Sequence, residues 1–258
     1  MTRNREPNRR TGVARALSKL GYCSRSRAAS LVRGGRVQVN GRPVRDPENP
    51  VFLDRDRIEV EGKRIDSARK VYLVLNKPRG LVTTTRDEKG RETIYSLLPE
   101  ANRWLAPVGR LDMASEGLLL LTNDSQWGAR IASPASHLEK TYHVQIAGVA
   151  TEDLLDRLRQ GIRTKDGDFL TAKRVGVLRH GQKNSWLEVV LEEGRNRHIR
   201  RMLGELGVEP LRLVRVAIGG VELGDLPKGK VRELREEERR SLAVIFSRNR
   251  PGTDRHGC

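Results

Sequence analysis

One short stretch of the chain places a guanidinium and a carboxylate close together ahead of a strongly apolar run. Arg110 and Asp112 lie two residues apart in a glycine-flanked segment, which continues through Gly117 into the leucines 118–121. In extended backbone, residues two apart point to the same side, so both side chains can face one partner. The leucines are typical of a buried strand. A carboxylate just ahead of such a strand is a candidate catalytic group, although the spacing alone favours an ordinary salt bridge in a loop.

A second charged segment, residues 193–203, is predicted to become helical after a strand. Its apolar residues fall on one helical face and its arginines on the opposite face. The apolar residues are Ile199, Met202, Leu203 and Leu206, and the arginines are Arg197, Arg200 and Arg201. An arginine face is usually only solvated. Here the density of arginine next to Gly194 and Asn196 favours a phosphate or carboxylate partner.

The composition restricts the class of partner. The 258 residues carry a formal net charge of +17, which favours a polyanion, nucleic acid first and an anionic membrane surface second. No apolar run approaches the roughly 18 residues that span a bilayer, and no hydrophobic segment follows the N-terminus, so we expect a cytoplasmic protein. A membrane-surface role lacks support, because no amphipathic helix sets Trp, Phe or Leu opposite Lys and Arg.

Metal and nucleotide sites have no support in the sequence. The two cysteines, Cys23 and Cys258, are far apart, and the five histidines show no metal-ligand spacing. Neither a phosphate-binding loop nor a dinucleotide-binding glycine pattern occurs. We therefore expect no cofactor.

The N-terminal region is predicted to be a small basic module. Residues 1–11 read as a disordered basic arm, and apolar spacing predicts a helix over 13–21. Ser24 is a candidate N-cap for a second helix over 25–33, and the alternating segment 36–44 predicts a strand entering an Asn-Gly hairpin turn. Up to Arg45 the chain has twelve Lys or Arg against one acid, Glu6. Ser24–Ala28 and Gly35–Gly41 resemble the S4 RNA-binding module over about residues 12–60, which implies that Arg25, Arg27 and Arg36 contact RNA phosphates.

The rest of the chain predicts a larger α+β domain with a mixed or antiparallel sheet. A polar linker, 61–69, precedes this domain, which we place at 70–240, and a charged tail follows at 241–258. Strands are predicted at 70–76, 118–121, 139–146, 170–177, 185–191 and 212–218, and helices at 126–132 and 152–160. In the strand at 139–146, the residues Lys140, Tyr142, Val144 and Ile146 share one face.

Taken in order, several segments resemble the ribosomal-type RNA pseudouridine synthases, the RsuA-like branch, over about residues 12–235. The segments are Asn76–Gly80, Gly109–Asp112 with Gly117–Asp124, Glu139–Tyr142, Glu193–Met202 and Leu213–Gly219. The family often has Gln at the position of His198 and commonly Thr at that of Ser115. The resemblance implies the two-part architecture, an S4-like module followed by a pseudouridine synthase domain.

The resemblance also implies roles for individual residues. Asp112 corresponds to the catalytic aspartate and Arg110 to its motif partner, Tyr142 to the aromatic that stacks on the target base, and Arg200 to the guanidinium that pairs with the aspartate. Lys140, on the same strand face as Tyr142, is predicted to bind substrate. The alternative for Tyr142 is a core tyrosine packed beside its apolar neighbours.

The implied function is site-specific isomerisation of uridine to pseudouridine in ribosomal RNA, with the target base flipped out. The reaction breaks the N1–C1′ bond and forms a C5–C1′ bond, and it needs an ionised carboxylate that acts as nucleophile or base. The expected partner is ribosomal RNA, free or in an assembling subunit, bound by a monomer. The alternative is a non-catalytic RNA-binding factor in ribosome assembly, which would not need an ionised Asp112.

Overall fold

A computed structural model describes residues 10–84, 87–99 and 105–248 of the chain. The chain divides into two compact units, the first built mainly from residues up to 72 and from 121–127, and the second from most of the rest. Most of the predicted N-terminal arm, residues 1–9, lies outside the described residues, as do residues 249–258 of the predicted tail. No helix in the described ranges is long and apolar enough to cross a membrane.

The first unit combines two helices with a small antiparallel sheet. The elements in order are β1 (Thr11–Gly12), α1 (Val13–Lys19), α2 (Arg25–Arg33), β2 (Val37–Val39), β3 (Arg42–Val44), β4 (Pro50–Val51), β5 (Ile58–Val60) and β6 (Lys63–Arg64). The sheet order is β3-β2-β5-β6, and β1 pairs separately with β4. Side chains of both helices and of β2 and β5 form one apolar core, which includes Leu17, Val32 and Val37.

Local signals in the sequence account for most of this unit. The Ser24 hydroxyl accepts a hydrogen bond from the Arg27 N–H at 3.3 Å and so caps α2. Asn40 and Gly41 both have positive φ, as the tight hairpin turn between β2 and β3 requires. Two features differ from the sequence prediction. Thr11, which we placed in the arm, pairs with Val51, and the predicted linker contributes β6, because a second positive-φ turn at 61–62 closes another hairpin.

The second unit is built on a nine-stranded mixed sheet with helices. Its strands are β7 (Tyr72–Lys77), β8 (Ala106–Val108), β9 (Glu116–Thr122), β10 (Lys140–Ala147), β13 (Arg174–His180), β14 (Asn184–Leu191), β15 (Pro210–Ile218), β16 (Val221–Glu222) and β17 (Val231–Glu233). The hairpin strands β11 (Ile162–Arg163) and β12 (Phe169–Leu170) form a separate pair. The helices are α3 (Ser125–Ala132), α4 (Glu152–Gln160), α5 (His198–Glu205) and α6 (Glu236–Arg248), with 3-10 turns at Ile94–Leu97 and Pro134–Ser136.

The sheet order is β13-β14-β10-β15-β9-β7-β17, with β16 on β15 and β8 on β9. β15 and β9 are parallel, whereas β10 is antiparallel to both of its neighbours. Every residue of β9 is buried, which confirms the predicted buried strand. The mixed sheet confirms the predicted α+β fold class. The strand predicted at 170–177 is wrong as one element, because its residues are divided between β12 and β13.

A β-bulge on β15 sets the face on which its side chains lie. Thr141 pairs with Ala217, but Tyr142 pairs with Arg215, so Val216 is the extra residue. Uninterrupted pairing would place Arg215 opposite His143, on the other face of the sheet. The bulge therefore brings Arg215 onto the same face as Tyr142.

Gly117 permits the close contact between β9 and β15 beside this bulge. It pairs with Arg215 in the parallel register. Its φ is 101°, a conformation that side chains other than glycine rarely adopt. A Cβ atom at this position would lie 2.2 Å from the Arg215 carbonyl oxygen, so any side chain would push the two strands apart.

We expect Gly117→Ala to lower the free energy of unfolding by about 2–5 kcal/mol, because it combines backbone strain with overpacking in a buried sheet. Gly204→Ala is the matched control, since Gly204 is exposed in α5 and a Cβ there meets open space. Chemical denaturation of both variants measures the difference. A Gly117→Ala variant as stable as the wild type would contradict the steric role of this glycine.

Candidate active site

Four of the predicted site residues line one cavity in the second unit. Arg110 and Asp112 come from the segment ahead of β9, and Lys140 and Tyr142 come from the start of β10. The cavity has a volume of about 380 Å³, which lies within the range typical of ligand pockets. Segments distant in sequence therefore form a single site that is open to a ligand.

The turn that carries Asp112 is fixed by a buried lysine. Lys77, at the end of β7, has 0% of its surface exposed. Its Nζ donates to three carbonyl oxygens, those of Pro78 at 3.1 Å, Asp112 at 3.1 Å and Ser115 at 2.9 Å. Because an ammonium has three donors, this arrangement uses all of them. It ties the turn at 112–115 to the end of the neighbouring strand.

Two further contacts hold the backbone on either side of Asp112. The Thr83 hydroxyl donates to the Leu111 carbonyl oxygen at 2.7 Å, and the Gly80 N–H donates to the Met113 carbonyl oxygen at 2.8 Å. The backbone of this turn is thus bonded at several consecutive positions. The Asp112 side chain itself is half-buried in the cavity wall.

The Asp112 carboxylate attracts two cations, Lys77 and Arg200. Burial lowers the pKa of Lys77 to about 8, against the attraction of the Asp112 and Glu116 carboxylates. Burial also lowers the pKa of Arg200, and attraction by Asp112 again opposes the shift. Asp112 is therefore attracted to two cations that come from different segments of the chain.

Arg200 approaches Asp112 without forming a close ion pair. Its Nη2 donates to the Ala114 carbonyl oxygen at 3.1 Å. Within the described ranges, no salt bridge of 4.0 Å or less joins Arg200 to Asp112. The Nε of Arg200 is buried and has no hydrogen-bond partner. The predicted pairing is therefore a longer-range attraction in this structure.

The arginines predicted to share one face of α5 differ in the groups that they contact. Ile199, Met202 and Leu203 are buried as predicted. Arg201, however, is engaged within the chain, because its Nη2 contacts Asp168 at 2.7 Å and Asp166 at 3.4 Å. The expectation of a carboxylate partner thus fits Arg201, but that partner belongs to the β11–β12 hairpin loop.

Tyr142 and Lys140 project from β10 into the cavity. Tyr142 has 8% of its surface exposed and lines the cavity, so it is both a core residue and a cavity residue. The Lys140 Nζ donates to the Glu192 carbonyl oxygen at 3.1 Å. Burial lowers the pKa of Lys140 to about 8, and the positive charge of Arg215 lowers it further, whereas Glu192 opposes the shift.

Exposed polar residues from the segment before α5 form the rim of the cavity. Arg195, Asn196 and Arg197 all line it and are exposed. Arg197 precedes the helix with φ 50° and ψ 32°, the left-handed conformation that glycine or asparagine adopts more easily. His198 is buried in the cavity wall. Burial lowers its pKa.

The predicted RNA-contacting residues of the first unit lie on its surface. Arg25 and Arg27 are exposed on the first turn of α2. Arg36 is also exposed but forms an ion pair with Glu61 at 3.0 Å. Arg25 and Arg27 are accordingly the better placed of the three to receive a phosphate.

Two important residues of the site were not predicted. Lys77 reads in the sequence as the residue that ends a strand, and nothing local indicates the three carbonyl groups that it binds. Arg215 lines the cavity, but simple alternation along β15 does not reveal the bulge that turns it there. Both residues belong to segments that resemble the family. That resemblance is the only feature of the sequence that could have indicated their place in the site.

Comparison with protein families gives two matches. The family described as RNA pseudouridylate synthase matches residues 71–205, and the S4 domain matches residues 13–51. An uncharacterised RNA pseudouridine synthase of Aquifex aeolicus is 40% identical over 235 residues, which cover 91% of this chain and 93% of the relative. The ribosomal large subunit pseudouridine synthase B of Bacillus subtilis is 33% identical, with coverage of 90% and 96%.

Comparison with solved structures gives the same result. The crystal structure of a pseudouridylate synthase superimposes with a TM-score of 0.63 at 30% sequence identity. The alignment covers 90% of this chain and 99% of that one. The likeness thus extends over both units.

Proposed function

Because the chain belongs to the RNA pseudouridylate synthase family, we propose that it isomerises a specific uridine of ribosomal RNA with Asp112 as the catalytic residue. The isomerisation of uridine to pseudouridine in RNA is the activity of the family. The observation that carries the proposal is that Asp112 faces the cavity that also contains Tyr142 and Lys140. Its turn is fixed by Lys77.

The environment of Asp112 suits the chemistry. The reaction cleaves the N1–C1′ bond, turns the uracil and joins C5 to C1′, so the net change moves one C–H proton to nitrogen without any redox step. It needs a charged carboxylate beside the sugar and base. Lys77 and Arg200 both interact electrostatically with Asp112, and we assign Asp112 the role of this carboxylate.

The cavity also supplies what a flipped nucleotide requires. Extruding a base from a stack costs a few kcal/mol, and stacking on an aromatic side chain returns about 1–3 kcal/mol. Tyr142 lies in the cavity wall with Asp112, and we assign it this stacking role. Arg110 is exposed at the same cavity, and we assign it a contact with the RNA backbone.

Two observations support ribosomal RNA as the substrate. The S4 domain matches the N-terminal region, where Arg25 and Arg27 are exposed. A relative of similar length is named for the large ribosomal subunit. In this proposal residues 12–60 dock on structured RNA and residues 70–240 carry out the reaction. In the same proposal the enzyme acts as a monomer in the cytoplasm.

We expect Asp112→Asn to lower turnover by at least about 10³-fold and to leave RNA affinity nearly unchanged, because the amide keeps the shape of the side chain but removes its charge. In cells that lack the protein, mapping of pseudouridine across ribosomal RNA should show one missing position. Wild-type protein should restore that position and the Asp112→Asn variant should not. Turnover by the variant would refute the role of Asp112, and an unchanged ribosomal map would refute the substrate.

The pKa of Lys140 predicts a pH dependence of kcat/KM. With a pKa of about 8 in the folded protein, the ammonium is present below that pH and is lost above it. The rate should therefore fall as the pH rises through about 8. Lys140→Met should be slower and should lack this alkaline decline, whereas Lys183→Met, at an exposed site outside the cavity, should retain it. A decline that survives in Lys140→Met would assign it to another group, such as Lys77.

The exposed arginines of α2 predict a salt dependence of binding. Each phosphate contact contributes about 0.7–0.9 to the slope of log K against log salt concentration. The double variant Arg25→Gln, Arg27→Gln should therefore bind a ribosomal RNA fragment more weakly, with a slope reduced by about 1.5. The control is Arg64→Gln, because Arg64 is exposed but paired with Asp66 at 3.1 Å. Equal slopes for the double variant and the control would show that α2 does not contact phosphates.

A further inference from the structure

Arg215 is a buried cation without an acidic partner in the wall of the cavity. It has 5% of its surface exposed, and its Nε donates to the Leu118 carbonyl oxygen at 2.8 Å. Its Nη2 is also buried and has no hydrogen-bond partner. Among the described residues, no carboxylate lies within 4.0 Å of it. Leaving a buried charged donor unpaired is costly, so its retention calls for an acceptor that arrives with the ligand.

The fold holds this guanidinium in a fixed position. The bulge at Val216 turns Arg215 toward the face of Tyr142, and the two residues are direct neighbours in the pairing of β10 with β15. The bond to Leu118 then fixes the guanidinium plane. A rigid donor beside the proposed stacking tyrosine is preorganised for one ligand atom.

A second cation lies close by. The positive charge of Arg215 contributes to the lowered pKa of Lys140, after the larger effect of burial. The acid that acts on Lys140 is Glu192, whose carbonyl oxygen accepts the Lys140 hydrogen bond. Two cations therefore converge on the part of the cavity next to Tyr142, and this part favours negative charge.

The position of Arg215 distinguishes between the anionic groups of an RNA substrate. The exposed arginines Arg110 and Arg197 at the rim suit phosphates, which remain near solvent. Arg215 is buried beside the aromatic ring and so is closer to where a flipped base would lie. In the reaction the base itself becomes anionic, because the electron pair of the broken N1–C1′ bond remains on the uracil and spreads over O2 and O4.

We propose that Arg215 is a further catalytic residue, whose guanidinium donates to a carbonyl oxygen of the flipped uracil and stabilises the negative charge that the base acquires when the N1–C1′ bond breaks. This inference rests on the proposed function of the cavity. Arg215 keeps its protons throughout, and the charge on the base is discharged when C5 bonds to C1′. The interaction is stronger in the transition state than in the bound substrate, as catalysis requires.

The test compares two leaving groups in single-turnover reactions. Arg215→Gln should cleave the N1–C1′ bond of a target uridine about 10²–10³-fold more slowly than the wild type, the usual effect of removing one such donor. RNA affinity should change by less than about threefold, because the contact strengthens only as charge develops. With 5-fluorouridine at the target, the fluorine itself stabilises the uracil anion, so the penalty of the substitution should shrink at least tenfold. Nuclease digestion and chromatography measure loss of the original nucleoside.

Controls separate this role from others. Arg179→Gln removes a guanidinium from the opposite face of the same sheet, where Arg179 pairs with Trp186, and should react like the wild type. An equal penalty with both bases would overturn the proposal and leave Arg215 a structural role. Weaker binding with a smaller salt slope would overturn it in favour of a phosphate contact.

A test without any substitution covers the case in which Arg215→Gln fails to fold. Wild-type enzyme should react more slowly with either 2-thiouridine or 4-thiouridine, because sulfur is the weaker hydrogen-bond acceptor, and equal rates for both and for uridine would overturn the proposal. Failure of the underlying function has a different signature. It would appear as turnover by the Asp112→Asn variant, whatever the behaviour of Arg215.

Discussion

The three hydrogen bonds of the Lys77 ammonium hold the candidate active site together. They join the end of β7 to the turn at 112–115, and so they place the Asp112 carboxylate without contacting it. A loop of this kind would otherwise pay an entropic cost to hold one conformation. Because the lysine is wholly buried, water does not compete for its acceptors. The carboxylate thus remains directed at the cavity rather than engaged in binding its own loop.

Much of the fold could be predicted because its signals are local. The cap at Ser24, the Asn40-Gly41 turn and the buried leucines of β9 each follow from a few neighbouring residues. The 61–62 turn and the pairing of Thr11 could not be predicted in this way. Strands of two or three residues are too short for alternation to be visible, and their pairing depends on contacts distant in sequence.

Contacts between residues distant in sequence also limit how much of the candidate site can be predicted. Asp112, Lys140 and Tyr142 were proposed from segments that resemble a family, and the structure places all three around one cavity. The position of Arg215 could not be predicted, because a single bulged residue changes the face on which it lies and a bulge leaves no periodic pattern in the sequence. The sequence also does not indicate why position 117 requires glycine, since the atom that excludes a side chain there belongs to Arg215, almost one hundred residues away.

The left-handed backbone at Arg197 has a consequence for any attempt to make the protein more robust to heat. A non-glycine residue in this conformation costs of the order of 1 kcal/mol, so a screen for higher melting temperature would select glycine or asparagine there. The same change would remove a guanidinium from the rim of the cavity. If the cavity binds RNA as proposed, thermal robustness and substrate capture compete at this one position.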